Sequence, residues 1–119
     1  MRIIPVIDVM NGMVVHAKGD RQSYRPIKSV ITTSTEPYKV AEAFSDFPEL
    51  YIADIDRIMK KGDNFNTIFD IESIGFEKVF FDFGISDLGE LYDVKLPKSF
   101  VPVLSTESFL SFEKIHSKK

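Results

Sequence analysis

Short apolar runs recur along the chain, and a polar residue closes each one. Ile3–Ile7 is mostly β-branched and stops at Asp8. Leu50–Ala53 stops at Asp54, Lys78–Phe81 at Asp82, and Phe100–Leu104 at Ser105 and Thr106. Continuous apolar runs of this length suit strands buried on both faces, as in a parallel sheet. Helical spacing fills the gaps. Ser34, Thr35, Glu36 and Pro37 supply cap candidates and a first-turn proline. Val40, Ala43, Phe44 and Phe47 follow on one side until Pro48 stops the run. A second helix is predicted from near Asp63–Asn64, with Ile68, Ile71 and Ile74 on one side and Gly75 as its stop. A third begins at Ser86–Asp87 and carries Leu88, Leu91 and Tyr92. A fourth runs from about Thr106 to His116, with Phe109, Leu110, Phe112 and Ile115 apolar.

This alternation predicts an α/β fold of four parallel βαβ units in a single domain, residues 1–119. An open doubly wound sheet and part of a closed barrel both fit. Asn11–Gly12 is a tight-turn signal. Val14–Val15 and Val30–Ile31 are candidates for a small hairpin over the top of strand one, with the polar stretch Lys18–Arg25 between them as a βα loop.

Composition narrows the function classes. A net charge of -3 gives no general basic footprint for nucleic acid. The absence of cysteine removes disulfides, thiolate catalysis and thiolate zinc sites, and is compatible with a cytoplasmic location. The opening apolar run is too short for a signal peptide or a membrane span. Eleven phenylalanines and no tryptophan predict an aromatic core of one kind.

Several residues are candidates for chemistry. Asp8, where strand one is expected to end, is placed either to exchange a proton or simply to bind loop amides. Asp54 and Asp56 flank Ile55, so on an extended segment they point the same way. Metal binding or a shared proton is one reading of that pair; turn and hydrogen-bond roles are the favoured one. His16 is a candidate electrophile or proton carrier, or an ordinary exposed histidine. Lys18, Arg21 and Arg25 form a basic cluster suited to a phosphate or to keeping a loop soluble. His116 is assigned no role.

Ile3-Ile4-Pro5-Val6-Ile7-Asp8-Val9, followed by Asn11-Gly12 and Val14-Val15, resembles the opening of the histidine-biosynthesis barrels. These are the phosphoribosylformimino-aminoimidazole-carboxamide ribotide isomerase and its cyclase relative. The likeness continues through Glu36-Pro37, Leu50–Asp56, Phe83-Gly84-Ile85 and Leu104–Ser108, and in character it is nearest to an archaeal isomerase-related group. The resemblance implies a (βα)8 barrel of which these residues form the amino-terminal (βα)4 half. It implies that Asp8 is a catalytic acid/base, and that Gly84, Ser105 and Thr106 hold a substrate phosphate. His16 matches a position that is often a substrate-facing arginine or lysine. The family's second catalytic aspartate lies on strand five, outside these residues. No organic cofactor or metal is implied. The expected partners are a phosphorylated small molecule and either a second copy or a second half-barrel chain. Asp82, beside the one glycine left of the family's triplet, reads only as an unwelcome like charge next to a phosphate.

Overall fold

A computed structural model describes residues 2–18, 35–85 and 87–104. Five strands form one sheet: β1 (Val6–Met10), β2 (Met13–Lys18), β3 (Glu49–Asp54), β4 (Lys78–Asp82) and β5 (Phe100–Val103), in the order β2-β1-β3-β4-β5. The strands β1, β3, β4 and β5 run parallel, and each step between them contains helix. These are the parallel βαβ units that the polar-stop pattern predicts, and they are consistent with the half of a TIM-type barrel that the resemblance implies.

The antiparallel strand β2 corrects two expectations. Strand one is not Ile3–Ile7 but Val6–Met10, so Asp8 lies inside the strand and not at its end. The chain extends further because it has a partner on its outer edge. Asn11 and Gly12 take positive φ angles of 53° and 75°, which close a two-residue hairpin turn. Met13–Lys18 then folds back along the whole of β1. Val14 and Val15 therefore pair with strand one itself, while Val30 and Ile31 lie outside the described residues. The register shifts between Asp8 and Val9, which face His16 and Val14, so Val15 is an extra residue bulged out beside Asp8.

The helices are shorter than their apolar spacing suggests. Helix α1 (Pro37–Ala43) has its proline in the first turn, but its cap residue Glu36 makes no side-chain cap bond. Helix α2 (Ile55–Ile58) is a single turn begun by Asp54, which accepts from the Arg57 N–H. Its only apolar pair is Ile55 and Ile58, too short a run to mark a helix by pattern. Helix α3 (Phe65–Phe69) runs on into a 3-10 turn over Asp70–Ile74, and Gly75 ends it at φ 100°, a left-handed cap that glycine adopts without strain. Helix α4 (Leu88–Tyr92) begins with a capping box between Asp87 and Glu90. The helix predicted after β5, and His116 within it, lie outside the described residues.

Burial alternates along the strands and separates two faces. Ile7, Val9, Leu50, Ile52, Val79 and Phe81 are fully buried on the helix side. The core there is aromatic, as the phenylalanine count predicts. Phe81 and Phe83 stack at 4.9 Å, Phe65 and Phe69 at 5.2 Å, and Phe100 meets both Phe69 and Phe81 edge to face. Such pairs add about 0.5–1.5 kcal/mol each beyond simple burial. The opposite face carries Val6, Asp8, Tyr51, Phe80, Val101 and Val103, all partly exposed. In a closed barrel this second face points inward. Among the described residues no helix is long and apolar enough to cross a membrane.

Candidate functional site at the carboxyl rim

The register draws one row across the sheet. The Cα of Asp8 is opposite that of His16 on one side and Ala53 on the other. Ala53 is opposite Asp82, and Asp82 is opposite Val103. The row crosses the carboxyl ends of the parallel strands, where open α/β sheets and barrels carry their chemistry. Asp8 and Gly84 thus lie on one rim, as the sequence predicts. The backbone of His16 and of Lys18 belongs to β2; their side chains are outside the described part of the structure. Ser105 and Thr106 are also outside it.

A polar network, buried at Asp54 and Asn64 and reaching the surface at Asn11, supports this rim. Asp54 ends β3 with its side chain fully buried. Its carboxylate accepts from the Asn64 N–H at 2.7 Å, from the Asn64 side-chain amide at 2.7 Å and from the Arg57 N–H at 3.2 Å. The same Asn64 amide group donates to Asp56 at 3.0 Å, and the Asn64 side-chain oxygen accepts from the Gly12 N–H at 2.8 Å. Asp56 accepts in turn from the Asn11 N–H at 2.6 Å. Asp54 and Asp56 are not on one extended segment, because α2 starts between them. They converge nonetheless, on a residue eight to ten positions away. The favoured turn and hydrogen-bond reading describes them well. The Asn11 N–H, then Asn64 and Lys61, hold the Asp56 carboxyl below the usual carboxylate range, against a smaller opposing effect of burial.

The next loop is tied differently. Gly84 has φ 71°, and a Cβ there would lie 2.8 Å from the Ile58 Cα, so any side chain forces the β4 loop away from α2. Close packing therefore accounts for this glycine without an anion. Its N–H donates to the Asp82 carboxylate at 3.2 Å. The Tyr51 hydroxyl donates to the other Asp82 oxygen at 3.3 Å across the strand pair. Arg57 bridges to Glu90 at 2.9 Å and lies 5.9 Å from the centre of the Phe83 ring, which joins the loops after β3 and β4. Asp82 is only 8% exposed. Burial pushes its carboxyl above the usual carboxylate range, and the Gly84 and Tyr51 donors offset that only in part. Sequence reasoning missed Asp82 as a site residue; its place in the same polar-stop series as Asp8 and Asp54 was the available signal. Among the described residues no group of three or more His, Asp or Glu is placed to hold a metal ion.

The sequence profile of the family described as "Histidine biosynthesis protein" matches residues 2–96, which hold β1 to α4. The chain belongs to the histidine biosynthesis protein family. One family relative, "Uncharacterized protein MJ0703" of Methanocaldococcus jannaschii, is 37% identical over 123 residues, covering 99% of this chain. The match spans 53% of the relative, so this histidine biosynthesis family chain covers about half the length of the curated relative it matches. No solved structure matches the chain.

The raised Asp82 pKa has a consequence for stability. A carboxyl that binds its proton more tightly when folded favours folding at low pH, and that contribution is lost as pH rises through the folded pKa. Asp82→Asn keeps an oxygen for Gly84 and removes the charge. Urea denaturation at several pH values is expected to show the stability difference moving in the variant's favour between about pH 4 and pH 7. A difference independent of pH would contradict the assignment.

Proposed function

We propose that this chain is the amino-terminal half of a sugar-phosphate isomerase of the histidine-biosynthesis type. The substrate class is a phosphorylated ribosyl amine, rearranged from an aldose to a ketose form. The observation that carries the reading is Asp8. It stands at the carboxyl rim, on the face that a barrel turns inward, beside a bulge that re-aims the neighbouring strand. A carboxylate in that position is suited to exchanging a proton with a sugar carbon. The substrate phosphate is assigned to the ends of β4 and β5, at Gly84, Ser105 and Thr106, with His16 and Lys18 on the β2 side. The grip at Gly84 is weak, because its N–H is already given to Asp82. That same bond favours a second reading, a non-catalytic half-barrel that serves assembly.

Isotope exchange separates the two. With phosphoribosylformimino-aminoimidazole-carboxamide ribotide in D2O, the purified chain is expected to introduce carbon-bound deuterium, read by NMR. Asp8→Asn should slow this by about 10²–10⁴-fold, the usual contribution of one acid or base. No deuterium uptake by the unmodified chain would leave the assembly reading in its place.

The partly exposed sheet face also requires a partner in this reading. The outer edge of β1 is covered by β2. The Val79 N–H bonds the Ser99 carbonyl, which sets the alternation along β5 and turns Pro102 outward, where its missing N–H weakens that edge. Association through the face, with a second copy of the chain, is therefore favoured over strand addition. Light scattering with size exclusion should show a species of at least twice 13.6 kDa. A single species at 13.6 kDa across dilution would contradict it.

A further inference from the structure

Acid–base isomerisation needs one group to give a proton and another to take one. The expectation that these residues hold only one such group treated Asp82 as a misplaced charge. The register gives it another role. Asp8 and Asp82 are both paired with Ala53, one on each side, so they occupy the same row with a single strand between them. Alternation puts Asp82 on the face of Phe80 and not on the helix side with Phe81. The bond from Tyr51, a residue of that same face, fixes it there independently. Two interstrand spacings separate the Cα atoms of the two aspartates by roughly 9–10 Å. Between them stands only the methyl side chain of Ala53, on the same face.

We propose that Asp82 is the second proton-transferring carboxylate of this site, facing Asp8 across Ala53. This rests on the isomerase reading and names a second carboxylate within these residues.

The chemistry balances with these two residues and solvent. Asp82 gives a proton to the ring oxygen as the C1–O bond breaks, and the nitrogen lone pair forms an iminium at C1. Asp8 takes the proton from C2, and the C–H pair becomes the C1–C2 double bond as the iminium nitrogen recovers its electrons. Asp8 then returns a proton to C1, where the double-bond pair forms the new C–H bond, and the C2 hydroxyl gives its proton to Asp82, which leaves the ketose and restores both carboxyl groups. Two protons are removed, at C2 and its oxygen, and two are delivered, at the ring oxygen and C1. No oxidant, reductant or co-reactant is required. The division of labour follows from surroundings. Asp82 is the more buried of the two and has its carboxyl held above the usual range, which suits the group that arrives carrying a proton. The Tyr51 hydroxyl and Gly84 N–H hold it in one orientation, so Tyr51 is a positioning residue.

The test is steady-state conversion of the same ribotide to its ketose form by the full chain. Asp82→Asn is expected to lower kcat by about 10²–10⁴-fold with KM unchanged. Tyr51→Phe, which keeps the ring, should lower kcat by a smaller factor, again with KM unchanged. Thermal melting of each variant separates loss of fold from loss of chemistry; a variant that melts early is replaced by Asp82→Glu, expected to retain part of the rate. A folded Asp82→Asn enzyme with full kcat, while Asp8→Asn is inactive, overturns the assignment of Asp82 and leaves the isomerase reading standing. An inactive unmodified chain that also gives no deuterium exchange overturns both.

Discussion

The amide side chain of Asn64 is the contact on which the rest of the rim depends. Three segments meet there: the β1–β2 turn at Gly12, the end of β3 at Asp54, and the first turn of α2 at Asp56. Each is a place where the chain leaves regular structure and its backbone groups would otherwise go unpaired. A buried carboxylate such as Asp54 is costly unless it is hydrogen-bonded, and here two backbone N–H groups and one side-chain amide surround it. An asparagine suits the position because it donates to both aspartates and still accepts from Gly12. An aspartate in its place would put a third carboxylate between two others.

From that anchor the geometry of the row follows. The network fixes where β1 turns into β2, and therefore sets the pairing that continues β1 beyond Asp8 and opposes Asp8 to His16. The parallel register carries the row on through Ala53 to Asp82. On the far side the aromatic cluster of Phe65, Phe69, Phe81, Phe83 and Phe100 holds β4 and β5 to α3. The sheet thus has a helix face secured by apolar packing and a rim secured by polar contacts. The remaining face is left for chemistry and for whatever completes the barrel.

Much of this was legible in the sequence. The four polar-stop runs gave the parallel strands, because strands buried on both sides leave continuous apolar segments with a marked end. Gly75 and Asp87 gave helix boundaries through local backbone chemistry, which needs no tertiary context. What was not legible depends on long-range pairing. Strand one outruns Ile7 because β2 and the end of β3 are there to bond it. Helix α2 exists because Asp54 caps it and Asn64 holds both aspartates, not because Ile55–Ile58 has a helical pattern. The glycine at position 84 reads as a phosphate turn by resemblance, whereas the close approach to Ile58 explains it by packing. Asp82 could be seen as part of the polar-stop series, but only the register sets it beside Asp8 as a counterpart.

Native-state hydrogen exchange tests the central claim, that one polar network holds the rim together, most directly. The N–H groups of Asn11, Gly12 and Asn64 lie in turns and at a helix cap, which ordinarily exchange quickly. If the network holds, all three exchange slowly and with similar protection, within about tenfold of the strand amides of Ile52 and Phe81, and Asn64→Ala releases all three together. Exchange of Asn11 and Gly12 at the rate of an open turn, or an Asn64→Ala variant in which they stay protected, would contradict it.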